Sequence, residues 1–126
     1  VTAAEPADVV EAPTDPEDVK ILTLARAALA RTGARQGACV RDTDGRTYAG
    51  TSVDLPHLRL SAVAVVVAMA ASSGAQGLEA VALSSADDLD DDDLLVAADL
   101  PGQGVVLWHA DPRGQLRRKV DVRART

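Results

Sequence analysis

Ser61 stands within the longest apolar run of the chain, LRLSAVAVVVAM, residues 58–69. A serine in that setting is a candidate nucleophile, and a nucleophile needs a base within hydrogen-bond reach. His57, four residues earlier, is the only nearby base, and Asp54 lies three residues before it. No G-x-S-x-G elbow surrounds the serine, so a polar residue in the first turn of a buried helix is the plainer account. Metal chemistry has few carriers, because Cys39, His57 and His109 are the only Cys and His side chains in 126 residues. They fall in different expected elements, where a packed thiol, a loop imidazole and a strand-end imidazole account for them. Aspartates at 87, 88 and 90–93 offer oxygen to a hard cation, yet the glycine and terminal glutamate of an EF-hand loop are missing. Neighbouring carboxylates on a helix point in different directions and suit a helix N-terminus in water. No G-x-x-x-x-G-K-[ST] loop for phosphates is present.

Composition narrows the classes further. The chain is of single-domain length and can bury roughly 68% of its unfolded surface. Its formal net charge is −6, which argues against nucleic acid and against an anionic membrane as partners. One Trp, one Tyr and no Phe mean an aliphatic core with few rings to stack on a base. A single cysteine allows no intrachain disulfide, so nothing points to an oxidising compartment. No basic stretch followed by an apolar one opens the chain, and no apolar run reaches the ~20 residues of a membrane span. A cytoplasmic location is expected. The cluster Arg117-Arg118-Lys119 reads as a charged edge strand, guarding against unwanted pairing.

Residues 1–14, VTAAEPADVVEAPT, read as a disordered acidic tail, with a single domain over 15–123. Asp15 as N-cap, Pro16 at the first helical position and Glu17-Asp18 in the first turn predict a helix that Gly33 ends. Its apolar stripe is Ile21, Leu22, Ala25, Ala28 and Leu29. A hairpin follows, with strands over about 37–42 and 46–53 joined at Asp44-Gly45. The apolar helix spans about 58–73, and a buried strand about 78–84. An acidic helix start, DDLDDDDLLVAADL, runs to Pro101-Gly102; GVVLWHA and QLRRKVDV are strands joined by the turn DPRG, before a basic tail, RART. The four-residue link makes these last two strands antiparallel neighbours. The order α-β-β-α-β-α-β-β predicts an α/β three-layer sandwich, a mixed five-stranded sheet with helices on both faces.

That order and two segments resemble the cytidine deaminase family. GACVRDTDGRTYAGTSVD, residues 37–54, is similar to the family's Gly-Ala-Ala-Val, Asp-Gly-Arg, Gly-x-Asn-x-Glu segment, and LRLSAVAVVVAMAASSG to its Leu-x-Leu-Cys-Ala-Glu-x-x-Ala helix. The resemblance covers roughly residues 16–85. In the family a zinc ion held by a His or Cys and two further Cys activates water, and a Glu that is not a ligand shuttles protons. Ser61 stands at the first ligand position and Val63 at that of the Glu. The Pro-Cys-x-x-Cys that should open the third helix is replaced by DDLDDDDLLVAADL. Ala34 matches a Phe that packs on the pyrimidine, and Ser52 and Asp54 match the Asn and Glu that hold the ribose. The resemblance therefore implies a catalytically degenerate member with no metal and no cofactor. It would be a non-enzymatic binding or scaffold protein taking a nucleoside-like small molecule or a protein partner, with Ser52, Asp54 and His57 as candidate ligand contacts. The alternative is an enzyme with zinc-independent chemistry built on Asp54, His57 and Ser61.

From Ala62 to Ala71 no charged residue occurs. A helix that is apolar all round is buried all round, and a sheet covers one side of it. The 58–73 helix is therefore expected to form the interface of a homo-oligomer, a dimer or tetramer, as the family resemblance also implies.

Overall fold

The computed structural model describes residues 10–123. The first helix, α1 (Pro16–Thr32), begins where the Asp15 carboxylate accepts the Glu17 N–H at 2.9 Å. Gly33 closes it in the left-handed region, its N–H on the Leu29 carbonyl. Strands β1 (Gln36–Asp42) and β2 (Thr47–Thr51) form the expected hairpin. The chain then leaves the main sheet. Strands β3 (Val53–Asp54) and β4 (Arg59–Leu60) pair as a separate two-stranded ribbon. Helix α2 (Ala62–Ser72), strand β5 (Leu78–Ser85), helix α3 (Asp91–Ala98) and strands β6 (Val106–Ala110) and β7 (Leu116–Asp121) complete the chain.

The main sheet has five strands in the order β2-β1-β5-β6-β7. Of the neighbouring pairs only β5 and β6 are parallel, and the crossover helix α3 joins them. Helix α1 covers one face and α2 and α3 the other. The α1 side is filled by Ile21, Ala25, Cys39, Ala80 and Ala82. The opposite side holds Val40, Val63, Val66, Val81, Leu83 and Leu107 in a larger cluster. Each fully buried Val or Leu contributes about 1.5–3 kcal/mol. Helix α1 lies so close on β1 that a Cβ at Gly37 would stand 2.3 Å from the Ala25 carbonyl oxygen, so only glycine fits there.

Two expectations need correction. Residues 58–60 are not the first turn of the apolar helix: Arg59 and Leu60 pair with Asp54 and Val53, and the helix starts at Ala62. The single chain covers only part of α2. Ala62, Val63, Val66, Val67 and Ala70 are buried, while Ala68, Met69 and Ala71 are exposed in the single chain. The sheet and α3 cover one stripe, and nothing within the described residues covers the other. Arg123, read as the start of a basic tail, reaches back to α3. Its guanidinium donates to the carbonyls of Ala98, Leu100 and Gly102, which the helix end leaves unsatisfied. Most of the expected acidic tail, residues 1–9, and the last three residues lie outside the described part. Among the described residues no helix is long and apolar enough to cross a membrane.

Candidate functional site

The N-terminus of α2 is held from three sides. Ser61 is its N-cap: the Oγ accepts the Ala64 N–H at 3.1 Å and donates to Asp93 Oδ1 at 2.6 Å. Asp93 lies in the first turn of α3, so one hydroxyl ties the starts of two helices together. From β1, Gln36 Oε1 accepts the Ala62 N–H at 3.1 Å, and the Gln36 N–H donates to Ser52 Oγ at 3.1 Å. Ser52 sits where the chain passes from β2 to β3, so Gln36 joins the sheet, the ribbon and the helix.

Above this knot lies a cavity of about 590 Å³, within the range that holds small molecules. Ser52, Asp54, Ser61 and Gln36 line it, together with Ala34 and Leu60. Arg35 and Asp87, ion-paired at 2.8 Å, and Arg59, paired with Asp54 at 3.4 Å, form its charged border. The structure thus brings together Ser52, Asp54 and Ser61 of the candidate residues. It does not bring His57, which is exposed in the β3–β4 turn and does not line the cavity. Val63 points into the core and is fully buried among aliphatic side chains.

Asp93, weighed in the sequence only as one aspartate of an acidic run, is the unexpected partner of Ser61. It is 3% exposed, and its Oδ2 has no hydrogen-bond partner among the described residues. Burial raises its carboxyl above the usual range; the Ser61 hydrogen bond opposes this, and the Asp90 and Asp92 charges reinforce it. A signal was present in the sequence: Asp93, Leu94 and Ala97 share one helix face, and the other two are apolar.

The remaining candidates are elsewhere. Cys39 is fully buried under α1, and burial pushes its thiol up to about 11. His109 is 1% exposed; its Nε2 lies 3.1 Å from the Ser85 carbonyl, and burial lowers its pKa. Asp90 accepts the Asp92 N–H as the N-cap of α3. No three His, Cys, Asp or Glu side chains among the described residues are grouped to hold a metal ion. The site can therefore offer hydrogen bonds and shape to a small polar molecule. The one buried acid beside it, Asp93, already accepts a hydrogen bond from Ser61.

The family model described as cytidine deaminase-like matches residues 14–114. Among solved structures, the chain is similar to the cytidine deaminase from Burkholderia pseudomallei, with a TM-score of 0.71 over 82% of this chain and 91% of that one. At 16% identity that likeness is one of fold. The cytidine deaminase from Mycobacterium tuberculosis is 25% identical, with a TM-score of 0.64 over 82% of this chain and 91% of that one. That from Mycobacterium leprae is 21% identical, with a TM-score of 0.59 over 78% and 91%. No curated protein matches the chain.

Proposed function

The chain belongs to the cytidine deaminase-like family, and from that premise we propose that it is a non-enzymatic member, a binding or scaffold domain that has given up zinc and deamination. The observation that carries this reading is the Ser61–Asp93 hydrogen bond. The family's chemistry requires soft or nitrogen ligands and a free acid–base group at the start of this helix. Here the donor set does not fit zinc. An alcohol stands at the first ligand position with its proton and a lone pair both engaged. Asp90, at the start of α3, is engaged as a cap, and Val63 carries no proton. What supports a retained binding role is the cavity, whose lining keeps Ser52 and Asp54 at the positions that hold a ribose in the resembling proteins. Its occupant would be a nucleoside-like small molecule.

Assembly is the second half of the proposal. The exposed face of α2, with Ala68 and Met69, is continuous in chemistry with Leu55, Leu58 and Leu60 of the neighbouring ribbon, all exposed apolar residues. Two copies burying this surface against each other would form a homo-oligomer. The alternative of an altered enzyme using Asp54, His57 and Ser61 draws no support from the geometry. His57 is outside the cavity, and Asp54 is paired with Arg59.

The test is a metal analysis of protein produced in zinc-supplemented medium, together with a cytidine turnover assay. The expected result is zinc far below one per chain and no turnover. Stoichiometric zinc overturns the reading. A nucleoside thermal-shift panel then tests binding, and light scattering with Met69→Glu tests assembly. A monomer at every concentration removes the oligomer.

A further inference from the structure

Gln36 enters the cavity at the start of α2 with its amide already oriented. Ala62 is the first residue of α2, and its N–H is one of the groups that a helix start leaves without an internal partner. Gln36 Oε1 accepts that N–H at 3.1 Å, so the amide oxygen faces the helix and the NH2 group cannot take its place. The backbone of the same residue is held as well. Its N–H donates to Ser52 Oγ at 3.1 Å, and its carbonyl accepts the Ser52 N–H at 3.0 Å. The residue is half-buried and lines the cavity. Its Nε2 makes no hydrogen bond among the described residues, and it is not sealed in as the orphaned Asp93 Oδ2 is. The inner end of the cavity, beside half-buried Ser61, thus offers a fixed pair of donors. Charge is confined to the border, where Arg35, Asp54, Arg59 and Asp87 are exposed. Ala34 and Val53 add half-buried apolar wall.

We infer, on the premise that this cavity is the nucleoside site proposed above, that Gln36 is its specificity-determining residue and selects a ring bearing a carbonyl oxygen over one bearing an amino group at the same position. A flat ring belongs at the half-buried end against the apolar wall, and a hydroxyl-rich sugar at the charged border. The ring edge then meets two N–H groups that cannot turn away without stripping Ala62 of its partner. A carbonyl oxygen completes them. An amino group sets donor against donor and leaves both unmade. Because the backbone and the amide oxygen of Gln36 are already held, the ligand does not have to order them, and the discrimination carries little entropic cost.

The test is calorimetric titration of the whole chain with two pairs of nucleosides, uridine against cytidine and inosine against adenosine. The members of each pair differ in the carbonyl or amino group and in the proton on the adjoining ring nitrogen. In the pair that binds, the carbonyl member is expected to bind about ten-fold more tightly, the value of one hydrogen bond gained or left unmade. Gln36→Glu keeps an acceptor for the Ala62 N–H, and a carboxylate is favoured at a helix start, so it folds. It presents an acceptor where the parent presents donors and is expected to reverse the order. Gln36→Met, with neither, is expected to level the pair. Equal binding of the two members by the parent, or the parent's order kept in both variants, overturns the inference and leaves the nucleoside reading of the cavity in place. No binding of any of the four nucleosides overturns both.

Discussion

The Ser61 hydroxyl and the Asp93 carboxylate meet at 2.6 Å across the starts of α2 and α3. The two residues are separated by 32 positions in sequence, so this one contact fixes how the crossover helix sits on the helix that precedes β5. The same oxygen of Ser61 caps α2. Ser61→Ala therefore removes a cap and leaves both Asp93 oxygens bare. The expected loss is about 2 kcal/mol or more, combining a lost N-cap with an unpaired buried group. Thermal denaturation followed by circular dichroism measures it. A variant that melts with the parent would show the contact to be idle.

Asp93 also sets a pH dependence whose sign is unusual for a carboxylate. Its folded-state pKa is raised, so folding takes up a proton. The stabilisation is complete below the unfolded value of about 3.9 and is lost as pH rises through the folded value. Asp93→Asn has no charge to bury. It is expected to melt above the parent at neutral pH, with the gap closing toward pH ~4. A gap of constant size across that range sinks the assignment.

His109 acts in the opposite sense. Burial lowers its pKa, so its contribution is present above the unfolded value of about 6.5 and is lost as pH falls through the folded one. His109→Gln is expected to flatten the stability curve just below that value. Urea titrations in steps of pH distinguish the two groups, since one variant removes a downward slope and the other an upward one. An unchanged curve for His109→Gln counts against the burial of a neutral ring.

Cys39 is expected to be chemically silent. With no exposed surface and its thiol pushed up to about 11, almost no thiolate is available at neutral pH. Ellman's reagent should label it only in denaturant. Labelling of the native protein on the timescale of free cysteine would require α1 to open readily.

The sequence was most legible where a local rule suffices. Asp15, Pro16 and Gly33 mark both ends of α1, and Asp44-Gly45 marks the hairpin, because caps and turns are decided within a few residues. The Asp111–Gly114 link settled the antiparallel pairing of β6 and β7 for the same reason. The start of α2 was misjudged because Leu58 and Leu60 continue its apolar run. Whether such a run coils or extends depends on a partner strand, and Val53-Asp54 supplied one. Ser52 and Asp54, matched through the resemblance, line the cavity, whereas His57 is tied to Ser61 only by proximity in the chain and stays outside it. Asp93 stayed hidden in a run of aspartates, since its distinction is a contact 32 residues away. Gln36 carries no motif at all, and only the fold brings its backbone N–H to Ser52 and its side chain to the start of α2.

Trp108 is the chain's only tryptophan. Its indole N–H donates to Asp18 of α1 at 3.2 Å, and the Lys119 ammonium of β7 lies 5.0 Å from the ring centre. Asp18 in turn pairs with Arg41, which also holds Glu79. The ring is therefore a single optical reporter placed at the seam between α1 and the sheet. Its emission follows the undocking of that helix and is remote from events at the opposite face. A fluorescence melt reads the α1 seam alone, a far-ultraviolet dichroism melt reads the helices of both faces together, and their coincidence or divergence tells whether α1 lets go with the rest of the fold.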